Sequence, residues 1–132
     1  MNLTPSTFRH LIAAAQAARR HAYAPYSRFR VGAALLTASG KVYTGVNVEN
    51  TSYGLTICAE RVAVGKAVGG GHRCFRAIAI AAPSANPTPC GACRQVLAEF
   101  GDCLVICVDS RHPRRVRIHQ LAELLPHAFR QV

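Results

Sequence analysis

The chain has 132 residues, half of them hydrophobic, so its length predicts one domain with a single sizeable core. No apolar run approaches the roughly 18 residues of a membrane-spanning helix, which excludes a protein with a helical membrane span. Sixteen Lys and Arg against six Asp and Glu give a net charge of +10, a balance typical of proteins that bind nucleic acid.

Hydrophobic periodicity and turn residues predict four helices and five strands in the order αββαβαββα. Thr4 and Pro5 are typical of a helix start, Ser39-Gly40 predicts a hairpin, and the triple glycine at 69–71 ends a helix. In chain order, the predicted elements are a helix over 5–22, strands over 29–38 and 41–48, a helix over 58–68, a strand over 75–82, a helix over 93–100, strands over 103–108 and 116–118, and a final helix over 119–125.

The predicted strands are apolar along most of their length and alternate with helices. Such strands are covered on both faces, so the pattern predicts a three-layer α/β/α domain around a mostly parallel or mixed sheet. The helix over 58–68 is apolar nearly all round, which predicts that it is buried.

The basic residues are scattered, with one modest cluster at 111–117, and aromatic residues do not alternate with them. A groove for single-stranded nucleic acid needs that alternation. We therefore interpret the charge as a solvated cationic surface and do not expect a nucleic-acid partner. Residues 1–5 show no basic segment followed by an apolar run, so we expect no signal peptide and a cytoplasmic location.

Six cysteines in a chain without an expected signal peptide predict free thiols or metal ligands rather than disulfides. Cys74, Cys103 and Cys107 lie in apolar segments and are predicted to be small core residues.

The other three cysteines, Cys58, Cys90 and Cys93, fall where predicted helices begin. Helix starts carry free N–H groups and partial positive charge, which favour the thiolate. Three thiolates from two helix starts predict a Zn²⁺ site with its fourth position open to water, the pattern of catalytic zinc. Glu60, in the same helix turn as Cys58, is placed to act as general acid and base for that water.

Less specific interpretations of these residues remain open. Cys90-Gly-Ala-Cys93 also suits a thioredoxin-like dithiol, although that leaves Cys58 and Glu60 without a role. A structural zinc site requires a fourth protein ligand, and Glu60 alone also suits an ordinary helix-start carboxylate. Together, however, Cys-x-Glu and Pro-Cys-x-x-Cys match the signature of zinc nucleobase deaminases in a form with three cysteines.

Nearly the whole chain resembles the small, three-cysteine, homotetrameric cytidine deaminases. The matching motifs, in order, are residues 24–34 (Ala-Pro-Tyr-Ser-Arg-Phe-Arg-Val-Gly-Ala-Ala), Asn47-Val48-Glu49-Asn50, Cys58-Ala59-Glu60-Arg61, residues 89–96 (Pro-Cys-Gly-Ala-Cys-Arg-Gln-Val) and Leu124-Leu125-Pro126-x-Ala128-Phe129. The resemblance implies a five-stranded mixed sheet and one catalytic domain over residues 1–132. It also implies hydrolysis of cytidine and 2′-deoxycytidine to uridine, 2′-deoxyuridine and ammonia in pyrimidine salvage.

The resemblance also assigns roles to individual residues. It implies that Cys58, Cys90 and Cys93 bind one zinc ion per chain and that Glu60 moves the protons. Substrate contacts are implied for Phe29 on the pyrimidine ring, Asn47 and Glu49 on the ribose 3′-hydroxyl, the Ala59 backbone on the base edge, Tyr53 at a shared interface, and Phe129 closing the base pocket of another subunit.

Two of these residue assignments have a structural alternative. Asn47 and Glu49 also suit polar turn contacts at a strand end. Arg61 follows Glu60 directly, so we expect it to offset the negative charge of the three thiolates, the alternative being a surface cation.

The sequence departs from the family pattern at Thr51, where many members carry a small apolar residue, and local substrate contacts are expected to differ there. The high Arg content is not explained by the family's chemistry. Competing functions are a blasticidin-type deaminase, which Asn47-Val48-Glu49-Asn50 disfavours, a polynucleotide cytidine deaminase, and a zinc-stapled nucleic-acid-binding module without turnover.

The expected assembly is a homotetramer with D₂ symmetry. A thin three-layer domain needs neighbouring walls to exclude water from a nucleoside. The helix over 58–68, in which Gly65 permits close approach, suits burial both within the subunit and across an interface.

Overall fold

The computed structural model describes residues 3–131, and these residues form four α-helices and five strands in the predicted order. Their bounds are α1 Pro5–Arg19, β1 Gly32–Thr37, β2 Val42–Val46, α2 Ala59–Gly69, β3 Phe75–Ala82, α3 Gly91–Ala98, β4 Leu104–Asp109, β5 Val116–Gln120 and α4 Leu121–Leu124, with a 3₁₀ turn over Tyr53–Leu55.

The five strands form one mixed sheet in the order β2-β1-β3-β4-β5. β1 pairs antiparallel with β2 and β3, β3 pairs parallel with β4, and β4 pairs antiparallel with β5. The predicted hairpin is present, and Gly40 adopts φ +93° in its turn. The prediction of a mixed sheet is thereby confirmed.

Helices cover both faces of the sheet, and each face has its own apolar core. On one face, Leu11 and Ala15 of α1 pack with Leu36 and Ile106. On the other face, α2, α3 and α4 contribute side chains that include Val64, Leu97 and Leu121, packed with the opposite side chains of the same strands. The predicted three-layer α/β/α architecture is therefore present.

Several predicted element ends differ from the observed ones by two or three residues. β1 begins at Gly32 rather than at residue 29, because the Asn47 side chain binds the backbone of Phe29 and Val31 in place of a strand ladder. α1 ends at Arg19, where the chain turns with a bond from the His21 N–H to the Ala18 carbonyl.

The position of α2 depends on a close approach to β2. A Cβ atom at Gly45 would clash with the backbone of Ala59 and Ala63. A glycine in the strand therefore lets the first turn of α2 lie directly on the sheet. The prediction that α2 is buried holds for one face only, because Gly65 and Val68 are exposed.

The predictions for the remaining cysteines are confirmed for two of three. Cys103 and Cys107 are buried, and burial raises the pKa of each thiol to about 12. The prediction for Cys74 is wrong: it precedes β3, outside the buried part of the strand, and is exposed. Within residues 3–131, no helix has the length and apolar character needed to cross a membrane.

Candidate active site

Three cysteine sulfurs meet where two helices begin. Cys58 is the N-cap of α2, Cys90 is the N-cap of α3, and Cys93 lies in the first turn of α3. The Sγ atoms of Cys58 and Cys90 are 3.8 Å apart, and those of Cys90 and Cys93 are 3.5 Å apart. All three sulfurs lie within 4.8 Å of one another.

This cluster fits a zinc ion. Sulfurs bound tetrahedrally at about 2.3 Å from one Zn²⁺ lie roughly 3.8 Å apart, which agrees with the observed separations. Among the residues that the structure describes, these three are the only group of three or more His, Cys, Asp or Glu side chains close enough to hold a metal ion. Three protein ligands leave the fourth zinc position for water or substrate.

The thiols differ in their tendency to ionise. Hydrogen bonds, first from Cys93 and then from Arg61 and Cys90, hold the pKa of Cys58 well below its usual range. The hydrogen bond to Cys58 and burial raise the pKa of Cys93. Cys58 is therefore the first of the two to become a thiolate, and metal binding has to displace the remaining thiol protons.

Arg61 lies beside the sulfur cluster rather than free on the surface. Its guanidinium donates to the Cys58 Sγ at 3.6 Å, and that hydrogen bond raises the pKa of Arg61. The Arg61 Nε is buried and has no hydrogen-bond partner within the described part of the chain. A fixed cation at this distance offsets negative charge on the thiolates.

Glu60 is a carboxyl group buried next to the cysteines. Its side chain is in the first turn of α2 and only 5% exposed. Burial raises the pKa of Glu60 to about 7, and the nearby Cys58 thiolate acts in the same direction. A carboxyl group with a pKa near neutrality can both accept and return a proton, as a general acid and base must.

A cavity of about 490 Å³ opens over these groups, a size typical of small-molecule sites. Of the residues predicted for the site, its lining includes Phe29, Asn47, Glu49, Cys58, Ala59, Glu60 and Cys90. The structure therefore brings one side of the metal cluster, the carboxyl group and the predicted sugar-binding pair to a single cavity.

Asn47 and Glu49 shape the wall of this cavity that carries Phe29. The Asn47 Oδ1 accepts from the Val31 N–H at 2.9 Å, and its Nδ2 donates to the Phe29 carbonyl at 2.8 Å. Glu49 accepts from the N–H groups of Tyr26 and Ser27 and from the Ser27 hydroxyl. These contacts hold the wall, and both side chains also face the cavity.

The contacts with Ser27 keep Glu49 ionised. The hydrogen bond from the Ser27 hydroxyl is the largest cause of a lowered Glu49 pKa, and the backbone bonds from Ser27 and Tyr26 add to it. An ionised carboxylate at the cavity wall can accept a further hydrogen bond from a hydroxyl group.

Thr51, the position that departs from the family pattern, contacts this wall through Tyr26. The Thr51 and Tyr26 hydroxyl groups are 2.6 Å apart, and the Tyr26 N–H donates to Glu49 at 2.9 Å. Tyr26 is thus held at both ends, by Thr51 at its ring and by Glu49 at its backbone.

Two residues predicted to contact the substrate lie outside the cavity of their own chain. Phe129 is 76% exposed and Tyr53 is 74% exposed. The Tyr53 ring packs edge-on against Tyr26, with centroids 5.8 Å apart, and the Phe129 carbonyl accepts from Gln95. Within one chain, neither side chain reaches the group formed by Glu60 and the cysteines.

The loop between β3 and α3 also contributes to the cavity, a contribution that was not predicted from the sequence. Ser84, Asn86 and Thr88 line the cavity, and His119 on β5 hydrogen-bonds Asn86 at 3.3 Å. The available signal was polar residues set among prolines directly before Cys90. Ser27, which lines the cavity and donates hydrogen bonds to Glu49, was not predicted as a site residue either.

Comparison with known proteins agrees with this geometry. The model of the cytidine and deoxycytidylate deaminase zinc-binding region matches residues 5–109, which include all three cysteines and Glu60. The chain belongs to this deaminase family. Cys58, Cys90 and Cys93 form the cluster able to hold the zinc ion for which the family is named.

Individual relatives match over most of their length. A probable cytidine deaminase of Dictyostelium discoideum is 53% identical over 123 residues, which cover 91% of this chain and 82% of that protein. A cytidine deaminase of Sporosarcina psychrophila is 48% identical over 120 residues, covering 90% of this chain and 88% of that protein. The crystal structure of cytidine deaminase from Burkholderia pseudomallei superposes with a TM-score of 0.85 at 48% identity, covering 96% of this chain and 100% of that one. The predicted fold class and family are thereby confirmed.

Proposed function

We propose that this chain is a zinc-dependent cytidine deaminase that converts cytidine and 2′-deoxycytidine to uridine and 2′-deoxyuridine and releases ammonia, in pyrimidine salvage. The observation that carries the proposal is the buried Glu60 carboxyl group beside three cysteine sulfurs, with Glu60, Cys58 and Cys90 lining one cavity. Residues 1–132 act as one catalytic domain.

Zinc, when bound by Cys58, Cys90 and Cys93, supplies Lewis-acid activation of water. Glu60 accepts a proton from the attacking water and delivers it to the ring N3 while the new C4–O bond forms. Glu60 then takes the proton of the new C4 hydroxyl group and delivers it to the exocyclic amino group, the C4–N bond breaks, and ammonia leaves. The near-neutral pKa of Glu60 suits both directions of transfer.

The remaining cavity residues orient the substrate. Phe29 packs on the pyrimidine ring, and the Ala59 backbone meets the base edge. The Glu49 carboxylate accepts a hydrogen bond from the ribose 3′-hydroxyl and the Asn47 amide group donates one to it, which their positions in the cavity lining support. Arg61 moderates the negative charge of the thiolates, a role that its contact with Cys58 supports.

A substrate panel tests the proposed function. Ultraviolet absorbance is followed with cytidine, 2′-deoxycytidine, cytosine and blasticidin S, and zinc is measured on the same sample. We expect both nucleosides to be deaminated and cytosine and blasticidin S to be poor substrates. Turnover of blasticidin S alone, or salt-dependent binding of nucleic acid without any turnover, contradicts the proposal.

Glu49→Ala should reduce discrimination between cytidine and cytosine. A hydrogen bond to a charged group contributes about 1.5 to 3 kcal/mol, so kcat/KM for cytidine should fall roughly 10- to 100-fold. Both KM and kcat should change, because binding energy at the sugar also positions the base. Unchanged nucleoside kinetics would contradict a contact of Glu49 with the sugar and leave it only a structural role through Tyr26 and Ser27.

Thr51→Val should weaken sugar recognition less than Glu49→Ala does. It removes only the hydrogen bond to the Tyr26 hydroxyl group and leaves the Tyr26 N–H bound to Glu49. One neutral hydrogen bond contributes about 0.5 to 1.5 kcal/mol, so KM for cytidine should rise roughly 2- to 10-fold, and Thr51→Ser should restore it. Thr44→Val on β2 is the matched control and should leave KM unchanged. A Thr51→Val enzyme with the KM of the parent would show that the contact of Thr51 with Tyr26 does not affect sugar recognition.

The proposed assembly is a homotetramer in which Phe129 closes the cavity of a neighbouring subunit. An aromatic side chain that is 76% exposed in its own chain supports this role. Phe129→Ala should reduce kcat/KM at least about tenfold, since several kcal/mol accompany loss of a buried aromatic ring. Ile118→Ala, which changes another exposed apolar residue, on β5, is the control. A fully active monomer by light scattering, or parental activity in Phe129→Ala, would contradict the assembly.

We also propose a cytoplasmic location. None of the six cysteines, all within the described residues, forms a disulfide, and the exposed Cys74 is a free thiol, as is typical of a reducing compartment.

A further inference from the structure

A second cavity, of about 520 Å³, lies behind the segment that carries Phe29. We refer to it as the arginine pocket, and its lining residues are Arg19, Ala22, Tyr23, Ala24, Pro25, Arg28 and Arg30. None of the functional assignments above uses this pocket.

Alternate residues of one segment line the two cavities. Ser27, Phe29 and Val31 line the active-site cavity, whereas Arg28 and Arg30 line the arginine pocket. The segment is therefore a shared wall, with its two arginines on the side away from the zinc ligands.

The backbone of this wall is held firmly on both sides. On the active-site side, Asn47 binds the Phe29 carbonyl and the Val31 N–H. On the other side, the Arg19 Nε donates to the Arg30 carbonyl at 2.9 Å. The three guanidinium groups thus project from α1 and from a neighbouring segment that is fixed against it.

The positive charge of the pocket is not paired with carboxylates. No acidic side chain lines it, and within residues 3–131 the structure gives none of its three arginines an ion pair with a carboxylate. The C-terminal end of α1 favours a cation at Arg19, but Arg28 and Arg30 lie beyond that helix. Three cations around one pocket repel one another unless an anion lies between them.

The conformation of Arg28 is a separate observation about this pocket. Its φ is +58°, in the left-handed region, where glycine or asparagine is accommodated with less strain. A long cationic side chain at such a position is consistent with a role for the side chain itself.

We propose that the arginine pocket binds a polyphosphate anion. Guanidinium groups match phosphate oxygens in geometry and stay charged at all physiological pH values. The Tyr23 ring, 55% exposed in the lining, offers a face on which a base can stack. The recognised chemistry is the chain of phosphates, which either an inorganic polyphosphate or a nucleoside triphosphate supplies. The proposal is independent of the deaminase activity.

The test is isothermal titration calorimetry of the zinc-loaded protein at low salt. Sodium tripolyphosphate is the first probe and uridine triphosphate the second, and zinc content is measured before and after so that chelation is recognised. The variants are the double substitution Arg28→Gln with Arg30→Gln and, as a control with equal loss of charge, Arg114→Gln with Arg115→Gln in the turn between β4 and β5.

We expect one tripolyphosphate per chain and at least tenfold weaker binding in the Arg28 and Arg30 double variant, with the control within twofold of the parent. Equal affinities for the two probes assign recognition to the phosphates alone. Tighter binding of the nucleotide, lost in Tyr23→Ala, identifies a nucleotide as the occupant. Equal weakening in both double variants would show diffuse attraction to a cationic surface, and that result or no binding at all overturns the proposal.

Discussion

Glu60→Gln should retain about one zinc per chain and lose several orders of magnitude in kcat for cytidine. Glutamine keeps the shape of the side chain, so the cavity and the cysteine cluster should be unchanged. It can no longer take up a proton from water, and loss of a general acid and base typically costs about 10²- to 10⁴-fold. The melting temperature should not fall, because a neutral amide is buried here without the desolvation cost of a carboxylate.

The control for this prediction is Glu99→Gln, an exposed carboxyl group at the end of α3. It removes the same charge and should leave kcat unchanged. Near-normal turnover by Glu60→Gln would exclude Glu60 as the proton-transfer group. Loss of zinc in the same variant would instead make Glu60 a metal ligand.

Cys90→Ala should lose most of its zinc and nearly all activity. Cys90 contributes one of three sulfurs, and its Sγ is within 3.8 Å of both Cys58 and Cys93. Two thiols alone cannot hold the ion in the same geometry, so the loss should exceed the roughly 10- to 100-fold effect of changes in residues that only support metal ligands. Metal analysis after gel filtration and a cytidine assay on one preparation provide the measurement.

Cys74→Ala is the matched control, because Cys74 is a second exposed thiol remote from the metal cluster in sequence and fold. It should keep both zinc and activity. Full zinc retention in Cys90→Ala would remove Cys90 from the ligand set and contradict the three-cysteine zinc site.

The chemistry-bearing residues were predictable because they lie at helix starts. The sequence pattern placed Cys58 and Cys90 where helices begin, and both are N-caps in the structure. The pattern predicted that the two helix starts share one zinc site, but not which features of the fold bring them together. Their proximity depends on Gly45, which admits the first turn of α2 to the sheet, and on the parallel pairing of β3 with β4.

The cavity wall was harder to predict, because it is built by contacts between distant segments. A strand was predicted from residue 29, but hydrogen bonds from Asn47 hold Phe29 and Val31 outside the ladder. Likewise, Asn86 lines the cavity from a loop whose prolines predict a stiff connection but not where it lies in the fold. Side-chain contacts to backbone from another part of the chain leave no local periodicity to detect.

Burial of single residues was also only partly predictable. Cys74 and Cys107 are both predicted to be small core residues, yet Cys74, with Arg73 and Arg76 close by in the sequence, is exposed, whereas Cys107 is fully buried. The two cysteines differ in their position relative to the strands, because Cys107 lies within β4 whereas Cys74 precedes β3. Phe129 is likewise exposed in its own chain, and only the resemblance of residues 124–129 to the tetrameric family predicts an interface for it.

The most direct test of the zinc-dependent deaminase is a metal titration of the stripped protein. Zinc is removed with a chelator, restored in steps, and conversion of cytidine to uridine is measured at each step alongside the bound metal. The proposed function predicts activity that rises in proportion to bound zinc and saturates at one ion per chain. Cytidine turnover by the metal-free protein, or no turnover at one zinc per chain, would contradict it.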